Sequence, residues 1–151
     1  QPVVDDFGNE VIESFDATGV HVGDAAQTQF GMSLRYEPLD NIYLKVRGTY
    51  FDDYYSDFDP LSLDGENAGR ESWKIPAYSL VDFHAGYTLK LNKKTKIDFR
   101  MSVLNALNEV YISDAQNNDP YNANYTEFDA KSAGVFFGMG RRINLSAKLT
   151  F

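Results

Sequence analysis

An alternation of apolar and polar residues with a period of two runs through most of this chain and limits it to β structure. Five stretches show the alternation, at about residues 27–36, 42–50, 78–91, 96–104 and 135–151. Successive side chains of a β-strand point to opposite faces, so each stretch predicts a strand with one apolar face. Each stretch is about as long as the 9–11 residues that a tilted transmembrane strand requires, or longer.

Charged residues within these stretches lie mostly on the opposite parity to the apolar residues. In the fourth stretch, for example, Asp98 and Arg100 alternate with Ile97 and Phe99. Arg141 departs from the rule, but it lies where a strand would leave the hydrocarbon, and its long side chain can reach the headgroups. Proline cannot donate to a strand ladder, and all five prolines are predicted to lie outside the strands: Pro2, Pro38, Pro60, Pro76 and Pro120.

The connections between the predicted strands alternate between short and long. Residues 37–41 and 92–95 predict tight turns, which join antiparallel neighbours, whereas 51–77 and 105–134 predict long polar loops. Residues 1–26 have the character of the tail of another long loop. Outer-membrane β-barrels show this alternation, with short periplasmic turns and long extracellular loops.

Net charge divides the chain in the same way. The long loops are acidic, with −6 in 1–26, −5 in 51–76 and −4 in 105–133, whereas 27–50, 77–104 and 134–151 carry +1, +3 and +3. A membrane-spanning protein has two chemically different ends, which gives this sorting a cause. The overall charge of −8 argues against a nucleic-acid partner. The absence of cysteine excludes disulfides and cysteine metal sites.

Five strands are too few to close a bacterial single-chain barrel, which normally has about eight or more. No stretch reaches the ~18 apolar residues of a spanning helix. Residues 1–6 lack the basic and apolar regions of a signal peptide, which predicts a cleaved leader or a start inside a longer protein. The favoured prediction is the C-terminal piece of a larger antiparallel transmembrane β-barrel. A barrel shared by several copies and a protein outside the membrane are the alternatives.

Four segments, in this order, resemble the C-terminal end of TonB-dependent receptors. Gly138–Phe151 is similar to their closing strand, with a Gly-Arg pair, alternating apolar residues and a terminal aromatic residue. Asn105–Tyr111 is similar to the family's Asn-Leu-Phe-Asp-x-x-Tyr signature, and Trp73–Tyr87 to its Pro-x-Tyr-x-Leu-x-Asp strand start. Tyr54–Pro60 resembles a loop of the same receptors. Together the resemblance covers roughly residues 24–151.

The resemblance implies a roughly 22-stranded plugged barrel in the bacterial outer membrane, of which this chain holds the last five strands. It implies energy-coupled uptake of a siderophore, glycan or similar nutrient, with TonB acting through an N-terminal part that lies outside this chain. Outer-membrane lipid, the barrel-assembly machinery and a surface lipoprotein are the implied partners, and no cofactor is implied. The assembly machinery would read one face of the last strand: Ile143, Leu145, Ala147, Leu149 and Phe151.

Aromatic residues of the first long loop are candidates for stacking on a sugar or siderophore: Tyr54, Tyr55, Phe58 and Trp73. An aromatic girdle and packing within the loop are the simpler explanation. The alternative functions are a soluble secreted β-sandwich binding module and a small oligomeric outer-membrane barrel protein.

Evidence for catalysis or metal binding is weak. Asp82 and His84 share one face of a predicted strand, as a hydrolase pair would, but a polar strand face contains such pairs routinely. His21 is predicted to be a solvated loop residue. Oxygen-bearing residues in the second long loop lack the ordered spacing of a calcium loop: Asp114, Asn117, Asn118 and Asp119. We therefore predict no enzyme, no catalytic residue and no metal.

Overall fold

The computed structural model describes residues 7, 15–63, 65–117 and 129–151. The described residues form β structure with two short 3₁₀ turns, Pro60–Ser62 and Gly65–Asn67. Their strands, in chain order, are β1 (Thr28–Leu39), β2 (Ile42–Asp52), β3 (Tyr54–Tyr55), β4 (Lys74–Ile75), β5 (Tyr78–Lys90), β6 (Lys96–Leu104), β7 (Ile112–Asn117), β8 (Ala133–Phe137) and β9 (Arg142–Thr150). No helix among these residues is long and apolar enough to cross a membrane.

The five long strands form one antiparallel sheet in the order β1-β2-β5-β6-β9. This confirms the prediction of an all-β antiparallel fold. The tight turns join β1 to β2 and β5 to β6, so these neighbours in sequence are also neighbours in the sheet. The sheet is open, and its two edges are the outer sides of β1 and β9.

The register of the sheet gives it one apolar face and one polar face. One row of directly paired residues crosses four neighbouring strands: Leu44 of β2, Ala85 of β5, Met101 of β6 and Leu145 of β9. Directly paired residues point to the same side, so this row crosses four strands on one face. We call it the apolar face, and its exposed large side chains are Phe30, Met32, Leu34, Tyr36, Leu44, Val46, Tyr50, Tyr87, Phe99, Ile143, Leu145 and Leu149.

The stretch predicted as a final strand over 135–151 is divided in two. β8 pairs with β7, outside the main sheet, and only β9 pairs with β6. The chain leaves the ladder between them because the N–H of Gly138 donates to the carbonyl oxygen of Tyr111 at 2.8 Å. The N–H of Arg141 likewise donates to Asn108 Oδ1 at 3.0 Å.

Pro38 lies inside β1, which corrects the prediction that every proline lies outside the strands. The position tolerates proline for two reasons. The pairing of β1 with β2 shifts register between Tyr36 and Leu39, and β1 is an edge strand with a free outer side. A proline at such a place removes no essential ladder hydrogen bond.

The long connections are not structureless, because they form two short ribbons above one end of the sheet. β3 pairs with β4 and β7 pairs with β8, and a parallel bridge between Asp57 and Gln116 joins the ribbons. We call the two ribbons, together with residues 15–27, the loop cap. Its core contains Ala26, Tyr54, Ile75 and Ala115. Ile75 is fully buried, which contributes about 1.5–3 kcal/mol of hydrophobic stabilisation.

Candidate functional site

The apolar face of the main sheet carries many exposed large side chains. Leu145, midway along the edge strand β9, is 75% exposed. Soluble monomers rarely expose contiguous apolar patches larger than a few hundred Å². A groove of about 630 Å³ crosses this face between Leu44, Ala85, Phe99 and Ala147. An exposed apolar face of this kind is typical of a surface that contacts lipid or another protein.

The residues predicted to form the assembly signal lie on or beside this face. Ile143, Leu145, Ala147 and Leu149 face the same side of β9, opposite apolar or small residues of β6. Phe151 follows the last residue of β9, and its side chain is 92% exposed. The structure thus presents these side chains for recognition, and their role as a signal stays a prediction.

The opposite face of the sheet is polar and internally bonded. Arg47 donates to Asp82 Oδ2 at 2.8 Å, while Asp82 Oδ1 accepts the N–H of Asn105 at 3.0 Å. Asp82 is only 7% exposed, so both of its oxygens are used within the fold. His84 Nδ1 lies 2.9 Å from the hydroxyl of Ser102. Asp82 and His84 are thus each hydrogen-bonded to other groups of the sheet, and the absence of catalysis stays a prediction.

A turn built on two asparagines connects β6 to the loop cap. Asn105 and Asn108 have positive φ angles of 49° and 57°, which asparagine tolerates better than most residues. The Asn105 amide donates to the carbonyl oxygens of Glu109 and Met139 at 2.9 and 3.1 Å, and it accepts the N–H of Glu109 at 2.8 Å. The segment that carried a family resemblance therefore ties β6 to the start of β9.

A ladder of aromatic rings runs along the boundary between sheet and cap. Phe51 stacks on Tyr78 with a centroid distance of 4.8 Å, and Tyr78 stacks on Tyr111 at 4.4 Å. The Tyr111 ring then covers Gly138, where a Cβ would lie 2.0 Å from Tyr111 Cζ. Sequence reasoning missed this ladder. The only available signal was the position of Phe51 and Tyr78 at neighbouring strand ends.

The candidate ligand-stacking residues occupy different environments in the loop cap. Tyr54 is buried in its core, and its hydroxyl donates to the carbonyl oxygen of Ser113 at 2.9 Å. Burial raises the pKa of Tyr54. Tyr55 stacks on His21 at 4.1 Å. Trp73 packs against the cap core, and Phe58 is half-buried. Tyr54 thus serves packing, whereas ligand contact by the others stays a prediction.

His21 is not merely solvated, because it fastens residues 15–27 to the rest of the cap. Its Nδ1 lies 2.8 Å from Glu71 Oε2, and its backbone N–H donates to Glu71 Oε1 at 3.0 Å. Burial raises the pKa of Glu71, but the hydrogen bonds from His21 and Ser72 outweigh it and hold that pKa below its ordinary value. Nearby, a Cβ on Gly23 would lie 2.7 Å from the backbone nitrogen of Asp57, so only glycine permits this close approach.

A lysine between two aspartates closes the boundary between sheet and cap. Lys74 Nζ lies 2.7 Å from Asp53 Oδ1 and 3.0 Å from Asp52 Oδ1. Hydrogen bonds to Asp53 and Asp52 raise the pKa of Lys74. Hydrogen bonds from Lys74 and Thr28 lower the pKa of Asp53. All three groups are therefore charged at neutral pH.

Within the described ranges, no group of three or more histidine, aspartate or glutamate side chains is placed to hold a metal ion. Asp114 Oδ1 accepts the N–H of Ala115 at 2.8 Å. Asn118 and Asp119, the other end of the oxygen-bearing loop considered above, lie outside the described residues. A scan against protein-family models and a search of curated proteins both find no match for this chain.

Proposed function

We propose that this chain is part of a TonB-dependent outer-membrane receptor for energy-coupled nutrient uptake. In this proposal the five-stranded sheet is one sector of the barrel wall. The observation that carries it is the division of the sheet into an exposed apolar face and a bonded polar face. Lipid would contact the first, and the water-filled interior of a large barrel would contact the second.

The open edges of the sheet favour the hypothesis that it is a sector of a larger barrel over the hypothesis that it is a free-standing sheet. Each backbone group left unpaired in hydrocarbon costs several kcal/mol, so spanning sheets close on themselves. The outer sides of β1 and β9 carry a row of such groups. Further strands of the same barrel would pair with both edges.

The difference in charge between the two ends of the sheet supports one orientation of the sheet in the membrane. The loop cap carries the acidic long connections and would face the outside, where a nutrient or a surface lipoprotein arrives. The short turns would face the periplasm, and TonB would act through a part of the receptor outside this chain. The barrel-assembly machinery would contact β9.

Two alternatives use the same apolar face differently. In a β-sandwich binding module, a second sheet would cover this face in water. In a small oligomeric barrel, copies of this chain would pair along the edges of β1 and β9. A sandwich gives no reason why the net negative charge is concentrated in the long connections, whereas the strands and short turns carry net positive charge.

This chain contains no cysteine, so single-cysteine variants of the native polypeptide in its membrane, with any cysteine outside this chain replaced, give a direct test. Leu145→Cys places a nitroxide on the apolar face, and Ser146→Cys places one on the polar face of the same strand. We expect label 145 to collide more with oxygen than with a water-soluble nickel complex, because oxygen concentrates in lipid. Label 146, the matched control, is expected to show the reverse preference.

Other outcomes of this experiment would reject the proposal. Shielding of label 145 from both oxygen and nickel would show that protein covers the apolar face, as in a sandwich. Equal access of nickel to labels 145 and 146 would place both faces in water.

A further inference from the structure

The turn between β5 and β6 carries an unusual concentration of positive charge. Four lysines lie within residues 90–96, and no acidic residue lies among them: Lys90, Lys93, Lys94 and Lys96. The other short turn, residues 37–41, contains Glu37 and Asp40 instead. The charge is therefore a property of this turn and not of short turns in general.

The fold places these lysines together without neutralising them. Lys90 lies directly opposite Lys96 in the register, and like charges at such positions destabilise a strand pair. Lys96 has a carboxylate, Asp98, at 3.3 Å. For Lys90, Lys93 and Lys94, the described part of the chain supplies no carboxylate within ion-pair distance. Lys90 and Lys96 belong to the polar face of the sheet, whereas Lys93 and Lys94 lie in the turn itself, where an external anion can contact them.

Hydrogen bonds within the turn hold its backbone in place. Asn92 Oδ1 accepts the N–H groups of Lys94 and Thr95, both at 2.9 Å. The N–H of Leu91 donates to the carbonyl oxygen of Thr95 at 2.9 Å. Both Lys93 and Lys94 are exposed. The turn thus holds two ammonium groups at the end of the sheet in a fixed loop.

The groove on the apolar face lies at a matching distance from this turn. Ala85, which lines the groove, precedes Lys90 by five residues, or about 17 Å along a strand at ~3.3 Å per residue. With a tilt of about 40°, the depth is ~13 Å. One leaflet of a hydrocarbon core is about 15 Å thick. A headgroup at the lysines would therefore place its acyl chain in the groove.

We propose that the β5–β6 turn and the groove together form a binding site for an anionic phospholipid. The lipid phosphate contacts Lys93 and Lys94, and one acyl chain lies between Ala85 and Ala147. This proposal rests on the proposed function, since it requires the apolar face to meet lipid. A basic residue near a membrane surface attracts anionic lipid by up to about fivefold in affinity.

The test uses the native polypeptide in vesicles and a fluorophore on Leu149→Cys, which lies beside the groove without lining it. Quenching by phosphatidylglycerol with brominated acyl chains is compared with quenching by phosphatidylcholine with the same chains. We expect several-fold stronger apparent binding of phosphatidylglycerol. The double variant Lys93→Gln/Lys94→Gln and high salt are both expected to abolish the difference.

Two matched controls distinguish a specific lipid site at the β5–β6 turn from a general attraction of anionic lipid to the protein. Lys131→Gln removes an exposed lysine from the loop cap at the other end of the sheet, and it is expected to leave the difference unchanged. A fluorophore on Phe30→Cys, on the apolar face of β1, is expected to show little preference between the two lipids.

Three outcomes would overturn the proposal. The first is a preference for phosphatidylglycerol that survives Lys93→Gln/Lys94→Gln, and the second is an equal preference at positions 30 and 149. Either would remove the lipid site while leaving the apolar face in lipid. The third is the absence of quenching by both lipids at both positions, which would reject the membrane function itself.

Discussion

Single residues determine where the chain leaves the sheet. Gly138 allows the Tyr111 ring to lie flat against the backbone before β9, and Asn105 and Asn108 supply the positive φ angles and side-chain hydrogen bonds of the adjacent turn. Polar and small residues thus direct the chain at this point, whereas apolar residues build the faces of the sheet.

Gly138→Ala is expected to destabilise the protein by about 1–3 kcal/mol, because the new methyl group overlaps the Tyr111 ring. The free energy of unfolding in urea, with the native polypeptide in vesicles, measures the effect. Gly48→Ala is the matched control, since a Cβ at Gly48 meets nothing within 4 Å. A similar loss of stability in Gly138→Ala and Gly48→Ala would contradict this account. It would also be contradicted if Gly138→Ala cost as much stability in a Tyr111→Ala background as in the native protein.

The elements that the sequence predicted are the ones with a sustained period of two. The five strands of the main sheet show that period over nine or more residues. β3 and β4 are two residues long, so they contain no period to detect. The break between β8 and β9 was missed because Val135, Phe137 and Met139 continue the parity of Ile143. That break depends on contacts with Tyr111 and Asn108, which are distant in sequence.

The docking of residues 15–27 on the loop cap is expected to weaken in acid. The folded-state pKa of Glu71 is lowered, so its contribution to stability is complete above the pKa of an unfolded glutamate, 4.5. This contribution is lost as the pH falls from there through the folded pKa. Trp73, the only tryptophan of this chain, is two residues away, and its emission reports the change once any tryptophan elsewhere in the polypeptide is replaced.

Glu71→Gln is expected to shift Trp73 emission toward its acid value already at pH 7 and to flatten its pH dependence. Glu66→Gln, a second glutamate of the same connection, is the control and is expected to behave like the native protein. The same acid transition in all three proteins would show that Glu71 does not fasten this segment.

At the scale of the whole molecule, the two faces of the sheet were predictable and the cap was not. The alternation of apolar and polar residues determines which residues of a strand share a face. When two strands pair in register, their apolar faces coincide, as the pairing of Leu44 with Ala85 shows. The loop cap is assembled from residues far apart in sequence, such as His21 with Glu71 and Asp57 with Gln116. Local patterns carry no information about such pairs.

A barrel sector implies a polypeptide much larger than this chain. An antibody against residues 1–26 is expected to recover, from an outer-membrane fraction, a protein several times heavier than 17.1 kDa. Intact mass spectrometry makes the measurement. A mass near 17.1 kDa would reject the receptor and leave the oligomeric barrel or the sandwich.

The unpaired side of β9 has a consequence for biogenesis. β9 extends over nine residues without a proline or a shift of register, whereas β1 has both near the short turn. An edge of this kind is a template on which further copies can stack into insoluble aggregates. If the chain is part of an outer-membrane barrel, as proposed, this edge has to stay uncovered by other copies while the chain crosses the aqueous periplasm. In that case the yield of native protein is expected to depend more on how briefly β9 stays unpaired than on the stability of the finished structure.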